Sequence, residues 1–183
     1  MGKVFDSLDD DLAAWIGRQH LFFVATAPVD GHVNLSPKGY DTFRVLGPRR
    51  VAYLDLTGSG VETVAHVQEN GRLTIMFTAL EGPPQVVRLY ARGEVHLVGS
   101  EGFEALAPLF PELPGRRAII DAHLSRVSTS CGYSIPRFTY ESERDTLNAA
   151  VRRKSAEQMD AYHREKNATS IDGLPGLTAL TGT

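Results

Sequence analysis

The chain has 183 residues, 42% of them hydrophobic, with 17 glycines, 10 prolines and a formal net charge of −3. This is the composition of a globular chain with a real core, about one domain in length, rather than a disordered or collagen-like polymer. There is no basic excess to neutralise phosphates, no multi-cysteine metal or disulfide framework around the lone Cys131, and no apolar run that reads as a signal peptide or spans a bilayer. The expectation is therefore a cytoplasmic protein with no nucleic-acid or membrane partner.

In chain order, the acids Asp9, Asp10 and Asp11 precede Leu12, Trp15 and Ile16 at helical spacing. They predict a short amphipathic helix over about 8–18, opened by Ser7 and Asp10. Residues 21–26 and 32–36 flank a Pro28-Asp30-Gly31 turn and read as a hairpin. Strands follow at 42–46 and 51–56. Thr57-Gly58-Ser59-Gly60 opens a helix that Ser59 and Glu62 would cap and Asn70-Gly71 would stop. Residues 73–77 read as a buried strand and 86–98 as a long one. Ser100 caps a short helix through Leu106, and Ala118, Ile119, Ala122 and Leu124 suggest another. Residues 130–140 hold the last strand candidate. A surface helix runs from Asp145 to about Lys166, and no local signal orders the tail beyond it. Strands joined by short turns, without regular βα alternation, favour an antiparallel barrel with attached helices over a doubly wound sheet.

Several residues carry chemistry on their own account. The Thr57–Gly60 turn can aim backbone N–H groups into one concavity at a helix start, which suits an anion, or Ser59 and Glu62 can simply cap the helix. No Gly-Lys-Ser/Thr follows, so it is not a Walker turn. Arg88 stands among apolar neighbours and either faces outward or is paired inside, where it would be a phosphate cation. Lys38 reads as an exposed loop lysine, Arg92 as a surface charge and Trp15 as core. Cys131 has no histidine that sequence can place beside it and reads as a small buried residue. Next to it, Gly132 allows close approach and Tyr133 can stack on a ring. The six histidines form no metal-binding spacing, so no metal is expected.

The stretches 22–27, Asn34-Leu35-Ser36-Pro37-Lys38-Gly39, 51–60, 69–77 and 87–93 resemble the pyridoxamine 5'-phosphate oxidase-like superfamily, the flavin-binding split barrels. Ser130-Cys131-Gly132-Tyr133-Ser134-Ile135-Pro136 and Ser170-Ile171-Asp172-Gly173-Leu174-Pro175 look like marks of one uncharacterised branch of it. The resemblance implies a mainly β chain with α. One domain over residues 1–183 would hold a six-stranded antiparallel split β-barrel core at about 5–140, peripheral helices, and a C-terminal helix and tail at 145–183. It also implies a homodimer, each interface site holding FMN that passes a hydride to or from a small-molecule substrate. In that pattern Ser36, Pro37 and Lys38 run along the isoalloxazine, and Tyr53, Leu54 and Asp55 offer backbone groups. Thr57, Ser59, Gly60 and Thr63 meet the phosphate, with Arg88 as a candidate cation and Cys131 and Tyr133 as pocket residues. The superfamily's Arg-Lys pair early in this helix corresponds here to Glu62 and Thr63. The alternatives are a deazaflavin-dependent reductase and a non-catalytic barrel that holds a flavin or haem.

Overall fold

The computed structural model describes residues 2–177. Its strands are β1 (Lys3–Phe5), β2 (Phe22–Thr26), β3 (Asn34–Lys38), β4 (Phe43–Gly47), β5 (Arg50–Leu56), β6 (Arg72–Thr78), β7 (Val86–Leu97) and β8 (Arg116–Ser130). The helices are α1 (Asp10–Ile16), α2 (Glu62–Asn70), α3 (Glu101–Leu106), α4 (Thr146–Arg152) and α5 (Ala156–Lys166). All strand pairs are antiparallel, in the order β3-β2-β6-β7-β8-β5-β4, with β1 added on β8. The sheet thus has eight strands where the resemblance implies six, and no ladder joins its two ends.

Rolling the sheet brings those ends together through side chains. Phe22 of β2 meets Phe43 of β4 and Tyr53 of β5, with ring centroids 5.2 and 5.6 Å apart. The enclosed core holds Val24, Ile75, Leu89, Ile120 and Val127, all essentially inaccessible. A second cluster on the outer side of β5 and β8 joins Ala52, Leu54 and Ile119 to Phe103, Leu106 and Phe110 of α3 and the turn after it. The shape is a split barrel whose free edges are β3 and β4.

α2 sends Val64 and its N-cap Val61 into the core. It crosses β7 at Gly93, where a Cβ would meet Leu73 at 2.9 Å and Val67 at 3.2 Å. Gly71 ends α2 at φ 71°, the left-handed cap that Asn70-Gly71 predicts. Ser100 caps α3 through the Phe103 N–H, also as predicted.

Five local expectations are corrected. Residues 118–124 form the middle of β8 rather than a helix. The run is buried on both faces, against the core and against α3, so it lacks the alternation that marks a half-buried strand. Beyond Ser130 the chain leaves the sheet, so 131–140 is an irregular strap tied back by the Phe138 N–H on the Leu80 carbonyl. The 145–166 helix is two, broken at 153–155, where Ser155 and Gln158 form a capping box. Ser59 caps nothing: Val61 is the N-cap of α2 and makes no side-chain bond, and α1 is capped by Asp9 rather than Ser7.

The stretch after α5, residues 167–177, is tied to the barrel, while the rest of the tail, 178–183, lies outside the described residues. Leu177 lies wholly in the core, and Asn167 is equally buried. No helix among the described residues is long and apolar enough to cross a membrane.

Candidate functional site

The split is where polar chemistry concentrates. Register places Asn34, Ser36 and Lys38 opposite Thr26, Val24 and Phe22, so all three face inward from the edge strand β3. The Lys38 ammonium donates to Asp55 Oδ1 at 2.9 Å, bridging β3 to β5 with only 19% of its side chain exposed. Asn34 Nδ2 donates to Thr63 Oγ1 at 3.0 Å and to Thr26 Oγ1 at 3.2 Å, and Ser36 Oγ donates to Asn34 Oδ1 at 3.1 Å. Thr26 in turn contacts His66 Nδ1 at 3.0 Å, and burial pulls the pKa of His66 below its ordinary value. These side chains form one seam along the split.

Asp55 is fully buried and has a second cation. Arg117 Nε donates to its Oδ2 at 2.6 Å. Burial raises the Asp55 pKa, but Arg117 and Lys38 together outweigh it and hold the carboxyl at about 2. Arg117 reaches this position through a β-bulge. Leu56 pairs with Arg116 and Asp55 with Ala118, so Arg117 is the extra residue on β8 and its side chain turns toward Asp55. Tyr53, beside Asp55 on the same face, has a buried hydroxyl without a hydrogen-bond partner, and burial pushes its pKa well up.

The Thr57–Gly60 turn is bound by this chain's own side chains. Arg117 Nη1 donates to the Gly60 carbonyl at 2.8 Å. Asn167 Nδ2 donates to the Gly58 carbonyl at 3.1 Å, while Asn167 Oδ1 accepts from Arg117 at 3.0 Å. Thr57 Oγ1 donates to the Gly115 carbonyl at 2.9 Å and sits 2.9 Å from His163 Nε2. Burial and then the Arg117 charge lower the His163 pKa below its ordinary value. Glu62 accepts from the Ile171 N–H at 3.3 Å. The segment after α5 therefore lies over the start of α2.

The two ends of a flavin nucleotide would meet these groups differently. The ring end fits: the inward row of β3 carries an amide, a hydroxyl and an ammonium beside the split. The phosphate end does not fit within this chain. Thr57 Oγ1 is engaged, the neighbouring Lys38 and Arg117 are paired with Asp55, and Glu62 adds negative charge, so the turn keeps the exposed Ser59 hydroxyl but no unpaired cation beside it among the described residues.

The structure brings Ser36, Lys38, Tyr53, Asp55, Thr57, Gly60 and Thr63 to the seam or its adjoining turn. Others lie elsewhere. Leu54 faces the second cluster, and Ser59 is exposed. Pro37 and Arg88 share an outer-face row, Pro37–Phe23–Met76–Arg88, where Arg88 donates to Ser130 Oγ at 3.1 Å. Cys131 and Tyr133 are exposed on the strap, so Cys131 is not the buried residue expected. Arg117, Asn167 and His163 are the site residues that sequence reasoning missed.

A separate cavity of about 1130 Å³ lies under the strap, lined by residues such as Trp15, Leu80 and Tyr140. Its Tyr40 has φ 58°, uncommon for a residue with a side chain, and donates from its hydroxyl to the Arg144 carbonyl at 2.5 Å.

Comparison with known proteins agrees with this architecture. The pyridoxamine 5'-phosphate oxidase family profile matches residues 8–131. The curated pyridoxamine 5'-phosphate oxidase family protein ustO of Aspergillus flavus is 37% identical, over 94% of this chain and 77% of its own. The chain belongs to the pyridoxamine 5'-phosphate oxidase family. Among solved structures, a single-substitution variant of HupZ from Group A Streptococcus aligns with a TM-score of 0.53 at 21% identity, covering 67% of this chain and 98% of that one. A candidate pyridoxamine 5'-phosphate oxidase from Lactobacillus delbrueckii aligns with a TM-score of 0.53 at 22% identity, covering 67% and 94%. At such identities the likeness concerns the fold.

Proposed function

We propose that the chain is a flavin-dependent oxidoreductase of this family acting on a small molecule, with the flavin ring along the inward row of β3. The observation that carries the proposal is the row of Asn34, Ser36 and Lys38, held in place at the open side of the split by Thr63 and Asp55. Bound flavin would supply hydride transfer, the chemistry that belongs to the cofactor. The chain's part is to orient the ring. Asp55, kept ionised by Arg117 and Lys38, fixes the ammonium at the split, and Tyr53 beneath Lys38 completes the wall.

FMN is the form that the family resemblance favours. Its phosphate then needs cations from outside the Thr57–Gly60 turn, and a second copy of the chain is the proposed source. Val33, Leu35 and Val4, exposed at 75%, 63% and 56%, offer apolar surface for such a homodimer. The engaged turn favours one second reading, a non-catalytic barrel that holds a flavin or haem without a phosphate clamp.

The test is size-exclusion chromatography with light scattering after incubation with FMN. Expected is a particle of twice the 20.0 kDa chain mass that carries flavin absorption. A colourless monomer contradicts both the cofactor and the dimer. A coloured dimer whose chemically reduced flavin passes electrons to no organic acceptor supports the non-catalytic reading.

A further inference from the structure

We propose that the cavity under the end of the strap and the segment that follows it into α4, residues 138–147, is a second binding site, distinct from the seam, for a planar aromatic acid. At about 1130 Å³ the cavity is slightly larger than the usual range of small-molecule sites. The barrel side contributes Trp15, Leu21 and Leu80, and the strap side contributes Phe138, Tyr140 and Leu147. The strap lies beyond the 8–131 family match, so the family core alone does not build this space.

Three observations define the ligand. The first is flat aromatic surface. The His20 and Tyr140 rings stack at 3.7 Å with 8° between their planes, and Trp15 lines the same space. Planar rings pack on such surfaces in offset or edge arrangements.

The second is unspent donors. Arg18 and Arg144 line the exposed side, and neither guanidinium has a hydrogen-bond or ion-pair partner among the described residues. Three glutamates also line the cavity, but two of them hold the strap. Glu81 accepts from the Tyr140 N–H at 2.8 Å and Glu143 from the Tyr140 hydroxyl at 3.2 Å. A cationic ligand would compete with that closure, whereas an acid would meet free guanidinium groups, whose paired N–H donors match a carboxylate.

The third is Thr78. Thr78 lines the cavity, and its hydroxyl is buried there without a partner among the described residues. A buried polar group in that state calls for a ligand atom or water. Together these features call for rings, an acidic group toward Arg18 and Arg144, and a polar atom at depth.

The experiment uses the full-length protein without flavin. Trp15 is the chain's single tryptophan, so its fluorescence reports the cavity directly. The probe is 8-anilinonaphthalene-1-sulfonate, with the neutral N-phenyl-1-naphthylamine and the cationic thioflavin T alongside. Expected is saturable binding of one anilinonaphthalene sulfonate per chain, with transfer from Trp15.

The double variant Arg18→Ala and Arg144→Ala should weaken that probe at least about tenfold, because charge-assisted bonds are lost, and leave the neutral probe unchanged. Both residues are exposed, and the Tyr40 bond goes to the Arg144 backbone, so the fold should persist. Val29→Ser, at an exposed turn outside the cavity and the proposed dimer surface, should change nothing.

Equal affinity in the double variant overturns the proposal. So does tighter binding of the cationic dye, or no binding because a second chain fills the space. Competitive displacement by FMN overturns it too, since the cavity would then be the flavin site. Failure of FMN to bind the seam leaves these readouts unaffected.

Discussion

The seam and the strap cavity adjoin at β3, yet they treat polar groups in opposite ways. Lys38 faces the seam, while Gly39 and Tyr40, next in sequence, line the cavity. Along the seam, the charged groups and amides find partners within the chain: Lys38 and Arg117 meet Asp55, Asn34 meets Thr63, and Asn167 meets the Thr57–Gly60 turn, while the buried Tyr53 hydroxyl and His66 Nε2 are the exceptions. In the cavity, Arg18, Arg144 and the Thr78 hydroxyl have none among the described residues. A buried network that is satisfied specifies structure, and it leaves its cations little left for a phosphate. Unspent donors around a large space mark a place for a ligand.

The largest expected effect comes from breaking the seam. Asp55→Ala leaves Arg117 buried without its carboxylate. Removing one partner of a buried ion pair costs about 3–5 kcal/mol, a large share of a domain's stability. Urea unfolding should show it as a fall in midpoint with an unchanged slope. If the loss is only a few tenths of a kcal/mol, the seam is not the structural network described.

Leu177→Ala tests the segment laid over α2. The side chain is fully buried, so truncation should cost about 2–5 kcal/mol in the same assay. A neutral result would show that the segment does not hold the turn closed.

Acid titration sharpens the same contrast. The Asp55 pKa falls from 3.8 to about 2 on folding, which corresponds to about 2 kcal/mol. A depressed carboxylate pKa stabilises the fold above the unfolded value and is lost as pH falls through the folded one. The contribution should be complete above about pH 4 and fade toward pH 2, and Asp55→Asn should remove that limb from the stability–pH curve.

The smallest effect concerns an exposed clip. His32 Nδ1 lies 2.7 Å from Asp172, and the His32 N–H donates to the same carboxylate. The hydrogen bond with Asp172 raises the His32 pKa and lowers that of Asp172. The clip should be complete between the unfolded Asp and His values, near pH 4 to 6.5, and should loosen as pH rises through the raised His32 pKa or falls through the lowered Asp172 one. Hydrogen exchange of the amides at 170–176 across that range measures it. A flat profile would mean the clip holds nothing.

Much of the barrel was legible in the sequence, because β2 through β7 show alternation or short apolar runs between recognisable turns. β8 was not, since Ala118-Ile119-Ile120 is buried from both sides and a short apolar run fits a helix equally well. On β3 the motif singled out Ser36 and Lys38, which face inward, together with Pro37, which faces outward, and it left Asn34 unnamed as a site residue. Lys38 is nonetheless a strand residue paired with Asp55 rather than a loose loop lysine.

Arg117 was not legible because a bulge, which no spacing announces, turns its side chain. The adjacent Arg116-Arg117 entering an apolar run was the one available hint. Asn167 and His163 act on partners more than 100 residues away, Asn167 on Gly58 and His163 on Thr57. Local pattern carries no trace of such contacts.

The most direct test of the flavin seam is an equilibrium titration of FMN into the wild-type protein and Lys38→Ala, followed by flavin absorption and fluorescence. The account predicts saturation at one flavin per chain, with affinity at least about tenfold weaker in the variant because a charge-assisted contact is gone. Equal affinity in the two proteins, or no saturable binding to the wild type, would contradict it.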